Sequence, residues 1–474
     1  MGIAGLLLPL GLDIDAGCLM AGTQIRDTAG ALKCRARPHN PVRGPGPWPL
    51  RSGPQPLAPP RDAAVRSTCT VSSLPLPTYP KLRDPADPLL PPAEYLAIQS
   101  EKPIAKVLLP SGRPTWLITG HALARQVLTE PCVSVDRRHP NFPYPVPNPD
   151  AVVAQVARWT YILLGDDPPL HTERRRLLIS EFTVRQAQAM RPRIQQLVDF
   201  HLEQLIAAGP GADFSKHFAM KVPSAVICEM LGVPFADHDY FQERTALQLR
   251  RDVAVAAQKQ AIDELLAYFE QLIQEKSSHP GDDVLSRLIV SNRETEAFDH
   301  EALVALGLLL LVGGHETTAN TLTLATATML ERPEIAEQLR TDPSLMPSAV
   351  EEFLRYFSVA VAVSRIATAD LQVGGQLVRA GESMLLVLNT IARDGTVFPE
   401  PHRLDIRRNA RNHLAFSHGI HQCMGQNLAR VEMQIALDTV LRRLPGLHLV
   451  TPFEELPFKY RHLVWGIEEL RVAW

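Results

Sequence analysis

The chain has 474 residues, of which 45% are hydrophobic and 21% charged, a composition typical of a folded globular protein. Its formal net charge of −3 excludes nucleic-acid binding driven by bulk positive charge. Six cysteines in a chain of this length do not make a disulfide framework, so we expect a reducing, cytoplasmic environment.

The first 75 residues differ in character from the rest. Of the chain's 41 prolines, 16 fall between Pro38 and Pro92, a density that disfavours a packed core. We therefore expect residues 1–75 to be a disordered extension. A targeting or partner-binding tail and a start codon placed too far upstream are the alternatives. The apolar run from Leu6 to Leu12 is too short to span a membrane and lacks the basic start of a signal peptide.

From Leu76 the sequence predicts one domain, residues 76–474, that is mainly α with a minor β region. Two strands flank a Ser-Gly turn within residues 107–118, and strand-like runs cover residues 369–378 and 383–388. Four long segments show helical periodicity between Pro, Gly, Asn and Asp boundaries: Ala187–Ala207, Val253–Lys276, Asp299–Leu330 and Gly425–Leu441.

The helix predicted from Asp299 carries Gly-Gly-His-Glu-Thr-Thr at residues 313–318. Glycine and threonine are poor helix formers, and a threonine hydroxyl can bond a carbonyl one turn back, which favours a local opening of the helix. An acid, Glu316, beside a hydroxyl, Thr317, could pass protons to bound oxygen. By itself the pattern fits a capped helix N-terminus about as well. We interpret His315 as a packed or solvated histidine, not as a ligand.

The loop from Phe416 to Gly425 has the most specific pattern in the chain. Cys423 lies just before a predicted helix, whose positive end and free N–H groups lower a thiol's pKa. Glycines at 419 and 425 allow sharp turns and close approach of a flat ligand. From these residues alone, Cys423 is a metal-binding thiolate, a buried inert thiol or a covalent nucleophile.

This loop resembles the haem-binding loop of the cytochromes P450, the haem-thiolate monooxygenases. The resemblance implies that Cys423 binds the iron of haem b (iron protoporphyrin IX), that Phe416 covers the sulfur, and that His421 meets a haem propionate. Gly425 would shape the loop. Ser417 departs from the family, which often has glycine there.

Other segments match the same family. Residues 313–318 are similar to its oxygen-activation segment, which implies that Glu316 and Thr317 are catalytic residues. The family's propionate partners match His171, Arg175 and Arg365. Its buried structural ion-pair cluster matches Glu352, Arg355 and Arg403.

The family resemblance implies roles for two further features. The Pro-rich run 137–148 lies where the family places a substrate lid, and the apolar pocket wall would be Leu309, Val312, Val361 and Val363. A positive docking face for an acidic electron-transfer protein would consist of Arg174, Arg176, Arg407, Arg408 and Arg411.

The resemblance implies a soluble, monomeric, cytoplasmic monooxygenase that inserts one atom of O₂ into an apolar small molecule. Secondary metabolism and xenobiotic oxidation both fit. Electrons from NAD(P)H would arrive through a ferredoxin and a ferredoxin reductase, and no nucleic-acid or membrane partner is expected. Two alternatives stay open: another haem reaction on the same fold, such as nitric oxide reduction or peroxide use, and a haem sensor or carrier without turnover. The Glu316–Thr317 pair argues mildly against peroxide use.

Overall fold

The computed structural model describes residues 76–150, 162–249, 254–460, 462 and 464–474, and structural statements below refer to these residues. The predictions for residues 1–75 lie outside them. The α-helices of this part are α1 (Ala93–Glu101), α2 (His121–Thr129), α3 (Leu170–Ile179), α4 (Val184–Ala189), α5 (Arg191–Ala208), α6 (Lys221–Met230), α7 (His238–Leu249), α8 (Val255–Ser278), α9 (Val284–Thr295), α10 (His300–Glu331), α11 (Pro333–Thr341), α12 (Met346–Phe357), α13 (Leu388–Ile391) and α14 (Gln426–Arg443).

The β region is small, as predicted. Its strands are β1 (Ile104–Leu108), β2 (Pro114–Ile118), β3 (Val133–Ser134), β4 (Ala362–Ala367), β5 (Leu371–Val373), β6 (Gln376–Val378), β7 (Ser383–Val387), β8 (His448–Leu449) and β9 (Val472–Ala473). The main sheet has the order β1-β2-β7-β4-β3, while β5-β6 and β8-β9 form separate pairs. In the main sheet only β2 and β7 run parallel. The predicted turn between β1 and β2 contains Gly112, whose positive φ of 78° suits glycine.

The central helix α10 confirms the prediction at both ends. The Asp299 side chain caps it by accepting a hydrogen bond of 2.8 Å from the main-chain N–H of Ala302. Pro333 then opens the next helix. Within the described residues α10 is the one helix long and apolar enough to cross a membrane, but 83% of its most apolar window is buried inside the protein. Its apolar surface is therefore covered by the fold, as in the core helix of a globular protein.

Two predictions about helices are wrong in detail. The helix α10 runs without interruption through residues 313–318, so the expected local opening is not present. The single helix predicted over Ala187–Ala207 is two helices, because α4 ends at Ala189 and α5 begins at Arg191. Pro192, in the first turn of α5, lacks the N–H needed to continue the earlier helix but suits the start of a new one.

Helix α14 packs against α5, α10 and α12. This packing fixes the start of α14, and with it the loop that carries Cys423, opposite the middle of α10. The packing of α14 on α10 therefore brings the Cys423 loop opposite residues 313–318, the other segment with a specific sequence pattern.

Candidate active site

The Cys423 loop is held by its own backbone. The main-chain N–H of Cys423 donates a 2.8 Å hydrogen bond to the carbonyl of Phe416, and Gly425 is the N-cap residue of α14. Gly419 has a φ of 73°, and a Cβ there would collide with the main-chain oxygen of Leu128. Glycine at 419 is therefore required both by its conformation and by the close approach of α2.

Cys423 faces open space between its loop and α10. Two cavities contain Cys423 in their walls, and we call them the Cys423 cavities; both are also lined by Thr317, Thr318, Phe416 and Ala429. Thr317 thus lies on the α10 side of the same space as the cysteine. A Cβ added to Gly425, which lines one of these cavities, would meet no protein atom within 4 Å. This space, walled mainly by apolar atoms, is suited to a flat apolar ligand.

The predicted propionate partners are basic groups whose protein counter-charges are limited. His171 is 1% exposed, and neither of its ring nitrogens has a hydrogen-bond partner among the described residues. Its ring centre lies 4.1 Å from that of His421. Arg365 is buried and donates to the carbonyl of Ser364 at 2.7 Å, while Arg175 donates to that of Gln422 at 2.7 Å.

Burial and mutual repulsion depress the pKa of these basic groups. Burial, followed by the charge of Arg175, lowers the pKa of His171 to about 4. Burial, followed by the charge of Arg365, lowers the pKa of His421 to about 2. The nearby Asp167 is engaged by the main-chain N–H of Val135, at 3.0 Å. At neutral pH the two imidazoles are therefore uncharged hydrogen-bonding groups, while the guanidiniums of Arg175 and Arg365 stay charged. Two ligand carboxylates fit this set, because they would accept hydrogen bonds from it and balance the two charges. The residues present therefore fit haem with its propionates.

The acid of residues 313–318 points away from the Cys423 cavities. Glu316 lines neither of them but is buried beside Lys459, whose Nζ lies 3.3 Å from its Oε1. Burial alone raises the pKa of Glu316, but Lys459, His315 and a 3.0 Å hydrogen bond from Asn320 lower it below the usual value. Glu316 is therefore an ionised carboxylate directly behind Thr317.

His315 is packed rather than exposed. It is 1% exposed, and its two ring nitrogens make hydrogen bonds to the carbonyl of Leu311 at 2.9 Å and the hydroxyl of Thr245 at 3.1 Å. Gly314, the residue before His315 in this motif, packs closely on α6. A Cβ at position 314 would lie only 2.7 Å from a side-chain carbon of Ile227. These contacts hold the middle of α10 rigidly in place.

The predicted structural ion pair is present, but its third member is wrong. The Glu352 carboxylate and Arg355 guanidinium form two hydrogen bonds of 2.8 Å, and both side chains are fully buried. The additional donor is Arg408, at 3.2 Å, and not Arg403. The Arg403 side chain is 64% exposed and pairs with Glu400, because its backbone, rather than its side chain, turns toward Arg355.

Two members of the predicted docking face are also wrong. Arg408 belongs to the buried cluster just described, with only 11% of its side chain exposed. Arg174 is buried and pairs with Asp166 at 2.9 Å, since the side of α3 on which it lies packs inward. Arg176, Arg407 and Arg411 are exposed and stay candidates for such a face.

A support beneath Phe416 was missed by sequence reasoning. Arg430, on α14, lies with its guanidinium 4.7 Å from the centre of the Phe416 ring. Its Nη2 donates to Glu351 of α12 at 3.0 Å, and His413 contacts the same carboxylate at 3.2 Å. These residues are 79 and 62 positions from Glu351, so no local spacing connects them.

A second missed residue is Glu432, on α14. It is 1% exposed, lines one of the Cys423 cavities, and its Oε2 has no hydrogen-bond partner among the described residues. Burial raises its pKa well above the usual value, so this side chain is a neutral carboxylic acid. The i, i+3 and i, i+4 periodicity of α14 identifies the position only as part of its buried face.

Known proteins resemble this chain over most of its length. The family model for cytochrome P450 matches residues 231–452. Pentalenic acid synthase of Streptomyces avermitilis is 44% identical over 393 residues, which are 83% of this chain and 96% of the relative. Vitamin D3 dihydroxylase of Streptomyces griseolus is 42% identical over 373 residues, 78% of this chain and 91% of the relative. The crystal structure of cytochrome P450 MoxA from Nonomuraea recticatena superposes with a TM-score of 0.78 at 42% identity, covering 84% of this chain and 98% of that one.

Proposed function

This chain belongs to the cytochrome P450 family and is a monooxygenase with a haem-iron cofactor, and from that premise we propose that Cys423 is the thiolate ligand of haem b. The observation that supports this most is the placement of Cys423 and Thr317 in the walls of the same cavities. When bound by this thiolate, the haem would supply the activation of O₂ by cleavage of the O–O bond.

Each remaining site residue has a separate task in this proposal. His171, Arg175, Arg365 and His421 hold the propionates, which would neutralise the two guanidiniums and form hydrogen bonds with the two imidazoles. Phe416 covers the sulfur and excludes water, and Gly425 leaves room for the ring. Thr317 presents its hydroxyl to the cavities, and Glu316 delivers protons to that hydroxyl from the opposite side of α10.

The substrate that we propose is an apolar small molecule, hydroxylated or epoxidised in secondary metabolism. This is supported by the apolar walls of the cavities, among them Leu309, and by the names of relatives such as pentalenic acid synthase and the mycinamicin VIII C21 methyl hydroxylase of Micromonospora griseorubida. Of the pocket wall expected from the sequence, Leu309 lines a Cys423 cavity, and Val361 lines a neighbouring pocket together with Phe142 of the expected lid.

O₂, a small-molecule substrate and redox partners are needed by any monooxygenase of this family. We propose more specifically that electrons from NAD(P)H arrive through a ferredoxin reductase and a ferredoxin. The exposed Arg176, Arg407 and Arg411 would attract the acidic ferredoxin. A monomer located in the cytoplasm, with residues 76–474 as its catalytic domain, completes the proposal.

The ligand role of Cys423 is tested by the absorption spectrum of the ferrous carbonyl adduct. We expect the purified chain to carry haem and to give the red-shifted band of a thiolate-bound iron, and we expect Cys423→Ser to lose that band. Cys228→Ser is the matched control, because Cys228 is a buried free cysteine on α6 that lines neither Cys423 cavity. A spectrum like that of a histidine-bound globin would contradict the proposal.

The reaction is tested by comparing electron sources. Monooxygenation predicts product with O₂, NADPH and a ferredoxin system, and one oxygen atom of the product derived from O₂. Turnover with peroxide alone, or with nitric oxide and NADH, would indicate one of the other haem reactions. A sensor or carrier would oxidise no NADPH under any of these conditions.

A further inference from the structure

A pocket separate from the Cys423 cavities lies between the N-terminal segment of the described chain, the main sheet and the C-terminal hairpin, in which Phe458 pairs with Ile467. Its empty space, together with the open solvent at its mouth, amounts to about 930 Å³. Much of its wall is aromatic or aliphatic, contributed by Tyr79, Tyr95, Phe142, Tyr460, Trp465 and Leu385. This lining, mainly apolar and aromatic with a few polar groups, is typical of a small-molecule site.

The charged side chains that line this pocket are all basic. Its lining includes Lys81, Arg83, Lys459 and His462, and no aspartate or glutamate among the described residues. Three of these basic groups have carboxylate partners outside the pocket lining: Lys81 with Glu94, Lys459 with Glu316, and His462 with Glu468. Arg83 makes no ion pair with any described carboxylate.

Arg83 is nonetheless buried, with 7% of its surface exposed. Its guanidinium stacks on Trp465, 3.8 Å from the ring centre, and Nη1 donates to the carbonyls of Pro88 at 3.3 Å and Leu90 at 2.9 Å. Nη2 is buried without a hydrogen-bond partner among the described residues. Burial, followed by the neighbouring Arg393, lowers the pKa of Arg83, but a guanidinium stays charged at neutral pH. A buried cation with a spare donor is costly unless an anion completes it.

We propose that this pocket binds the carboxylate of an otherwise apolar substrate, with Arg83 as the counter-ion. A carboxylate accepts the hydrogen bond that Nη2 leaves unused, and its charge balances Arg83, the one basic residue of the lining that has no described carboxylate partner. A phosphate would bring a second charge into a largely aromatic wall, where desolvation is unfavourable. The aromatic and aliphatic side chains would receive the hydrocarbon part of the molecule.

The pocket is placed to lead toward the Cys423 cavities. Only one segment of chain separates the two spaces at this point: Val361 lines the pocket, and the preceding residue, Ala360, lines a Cys423 cavity. This segment is held against the C-terminal hairpin by the hydrogen bond of 2.9 Å from Trp465 to the carbonyl of Val359. A substrate whose carboxylate is held at Arg83 would therefore extend its apolar end toward the cavities. The inference rests on the proposed function and narrows its substrate class to apolar carboxylic acids.

Matched ligands of the same skeleton test this without changing the protein. The probes are decanoate against decanamide, and phenylacetate against phenylacetamide, titrated into the full haem-loaded chain by calorimetry. We expect each acid to bind about tenfold or more tightly than its amide, because a charge-assisted hydrogen bond is available to the acid alone. Amides that bind as tightly as their acids would overturn the inference.

The variant Arg83→Gln identifies the residue responsible. It retains an N–H₂ group for the carbonyls of Pro88 and Leu90 but loses the charge, so acid affinity should fall to that of the amide while amide affinity stays within about twofold. Arg379→Gln is the control, since Arg379 is 69% exposed and does not line the pocket. Retention of the acid preference in Arg83→Gln would overturn the inference. Should this variant not fold, as judged by circular dichroism, the comparison of acids and amides on the native chain still decides.

The carbonyl spectrum of the same sample separates the two claims. A thiolate-type spectrum with equal acid and amide affinities overturns only the carboxylate inference. A spectrum without that band overturns the proposed function, whatever the ligands do.

Discussion

Lys459, on the C-terminal hairpin, lies with its Nζ 3.3 Å from Oε1 of Glu316, on the central helix α10. The hairpin can approach this closely because residue 466 is glycine, and a side chain there would collide with Asn320. Both members of the pair also line a cavity that is open to solvent and is lined mostly by charged and polar residues, among them His462. Thr317, the next residue after Glu316, lines the Cys423 cavities. Helix α10 therefore separates a solvent-open space with charged walls from the Cys423 cavities, with Glu316 on one side and Thr317 on the other.

Lys459→Met should protonate Glu316 and slow proton delivery. Burial alone raises the pKa of Glu316, and Lys459 is the largest of the influences that lower it. We expect a new carboxylic-acid band of Glu316 at neutral pH in the infrared spectrum and a loss of about 3 kcal/mol of stability, because the buried ion pair is broken and Glu316 must take up a proton. We also expect product formation about tenfold slower with a larger solvent isotope effect.

Lys459→Arg is the conservative control and should keep the carboxylate ionised and the isotope effect unchanged. A Lys459→Met protein that shows no new carboxylic-acid band, or that keeps the native isotope effect, would contradict the role of the pair.

Thr317→Ala should leave the haem spectrum intact while reducing equivalents are lost as hydrogen peroxide. In the proposed function the hydroxyl of Thr317, a residue that lines both Cys423 cavities, passes protons into them, so without it we expect peroxide to form in place of product. The measurement is the ratio of product formed to NADPH consumed, which we expect to fall about tenfold.

Thr323→Ala is the matched control for Thr317→Ala. Its hydroxyl is buried on the same helix and bonds the carbonyl of Ala319 at 2.9 Å, but it lines neither Cys423 cavity. Unchanged coupling in Thr317→Ala, or equal loss in both variants, would remove the catalytic role.

Replacing Arg407 and Arg411 by glutamate should slow ferredoxin-driven turnover and leave peroxide-driven turnover unchanged. Both arginines are exposed in the segment that precedes the Cys423 loop, so reversal of their charge would repel an acidic partner. We expect the ferredoxin-driven rate to fall about tenfold at low salt and less at high salt. Arg379→Glu, also exposed, is the control. Equal effects on both electron sources would show that these arginines do not form the docking face.

The sequence was most informative where structure depends on neighbouring residues. The cap at Asp299, the length of α10 and the position of Cys423 before α14 all follow from local patterns, and the structure places them as expected. Local patterns could not show whether Arg403 or Arg408 pairs with Glu352. Which arginine reaches this carboxylate depends on how the connecting loop folds over α12.

Long-range pairs were likewise hidden. Lys459 is 143 residues from Glu316, and nothing in the spacing of either segment connects them. Arg174 and Arg175 are adjacent on α3, yet one pairs with Asp166 and the other donates to the Cys423 loop. The partner of each arginine side chain is decided by tertiary packing and not by local sequence.

Ser417→Gly should stabilise the Cys423 loop. Ser417 has a φ of 59°, in the left-handed region that favours glycine, and its buried hydroxyl has no hydrogen-bond partner among the described residues. Relief of the backbone strain should increase the free energy of unfolding by about 1 kcal/mol, measured by urea denaturation of the haem-loaded protein.

Ser180→Gly is the opposite control for Ser417→Gly. Ser180 has an ordinary helical φ of −59°, so glycine there should lower the free energy of unfolding by about 0.5–1 kcal/mol. A Ser417→Gly protein that is less stable than the native chain would mean that the hydroxyl has a structural function that outweighs the strain.

Glu351 should make the protein sensitive to acid. Burial alone raises its pKa, but hydrogen bonds from His413 and Arg430 outweigh burial and hold the pKa at about 2, against 4.5 for an ordinary glutamate. Burial keeps the pKa of His413 below its usual value, so this imidazole is neutral at neutral pH. The positive charge that faces the Glu351 carboxylate is therefore that of Arg430. Between pH 4.5 and about 2 the unfolded chain binds the proton more readily than the folded one, so this stabilisation is complete above pH 4.5 and is lost as the pH falls toward 2.

Glu351→Gln should therefore cost about 2 kcal/mol at neutral pH, and the stability difference from the native chain should shrink as the pH falls below 4.5. Urea denaturation at a series of pH values measures this difference. Glu400→Gln, whose side chain is 72% exposed, should leave the acid dependence unchanged. A difference between Glu351→Gln and the native chain that does not vary with pH would show that Glu351 acts by packing rather than by charge. Because Arg430 lies against Phe416, the same variant should also shift the carbonyl spectrum slightly, whereas Glu400→Gln should not.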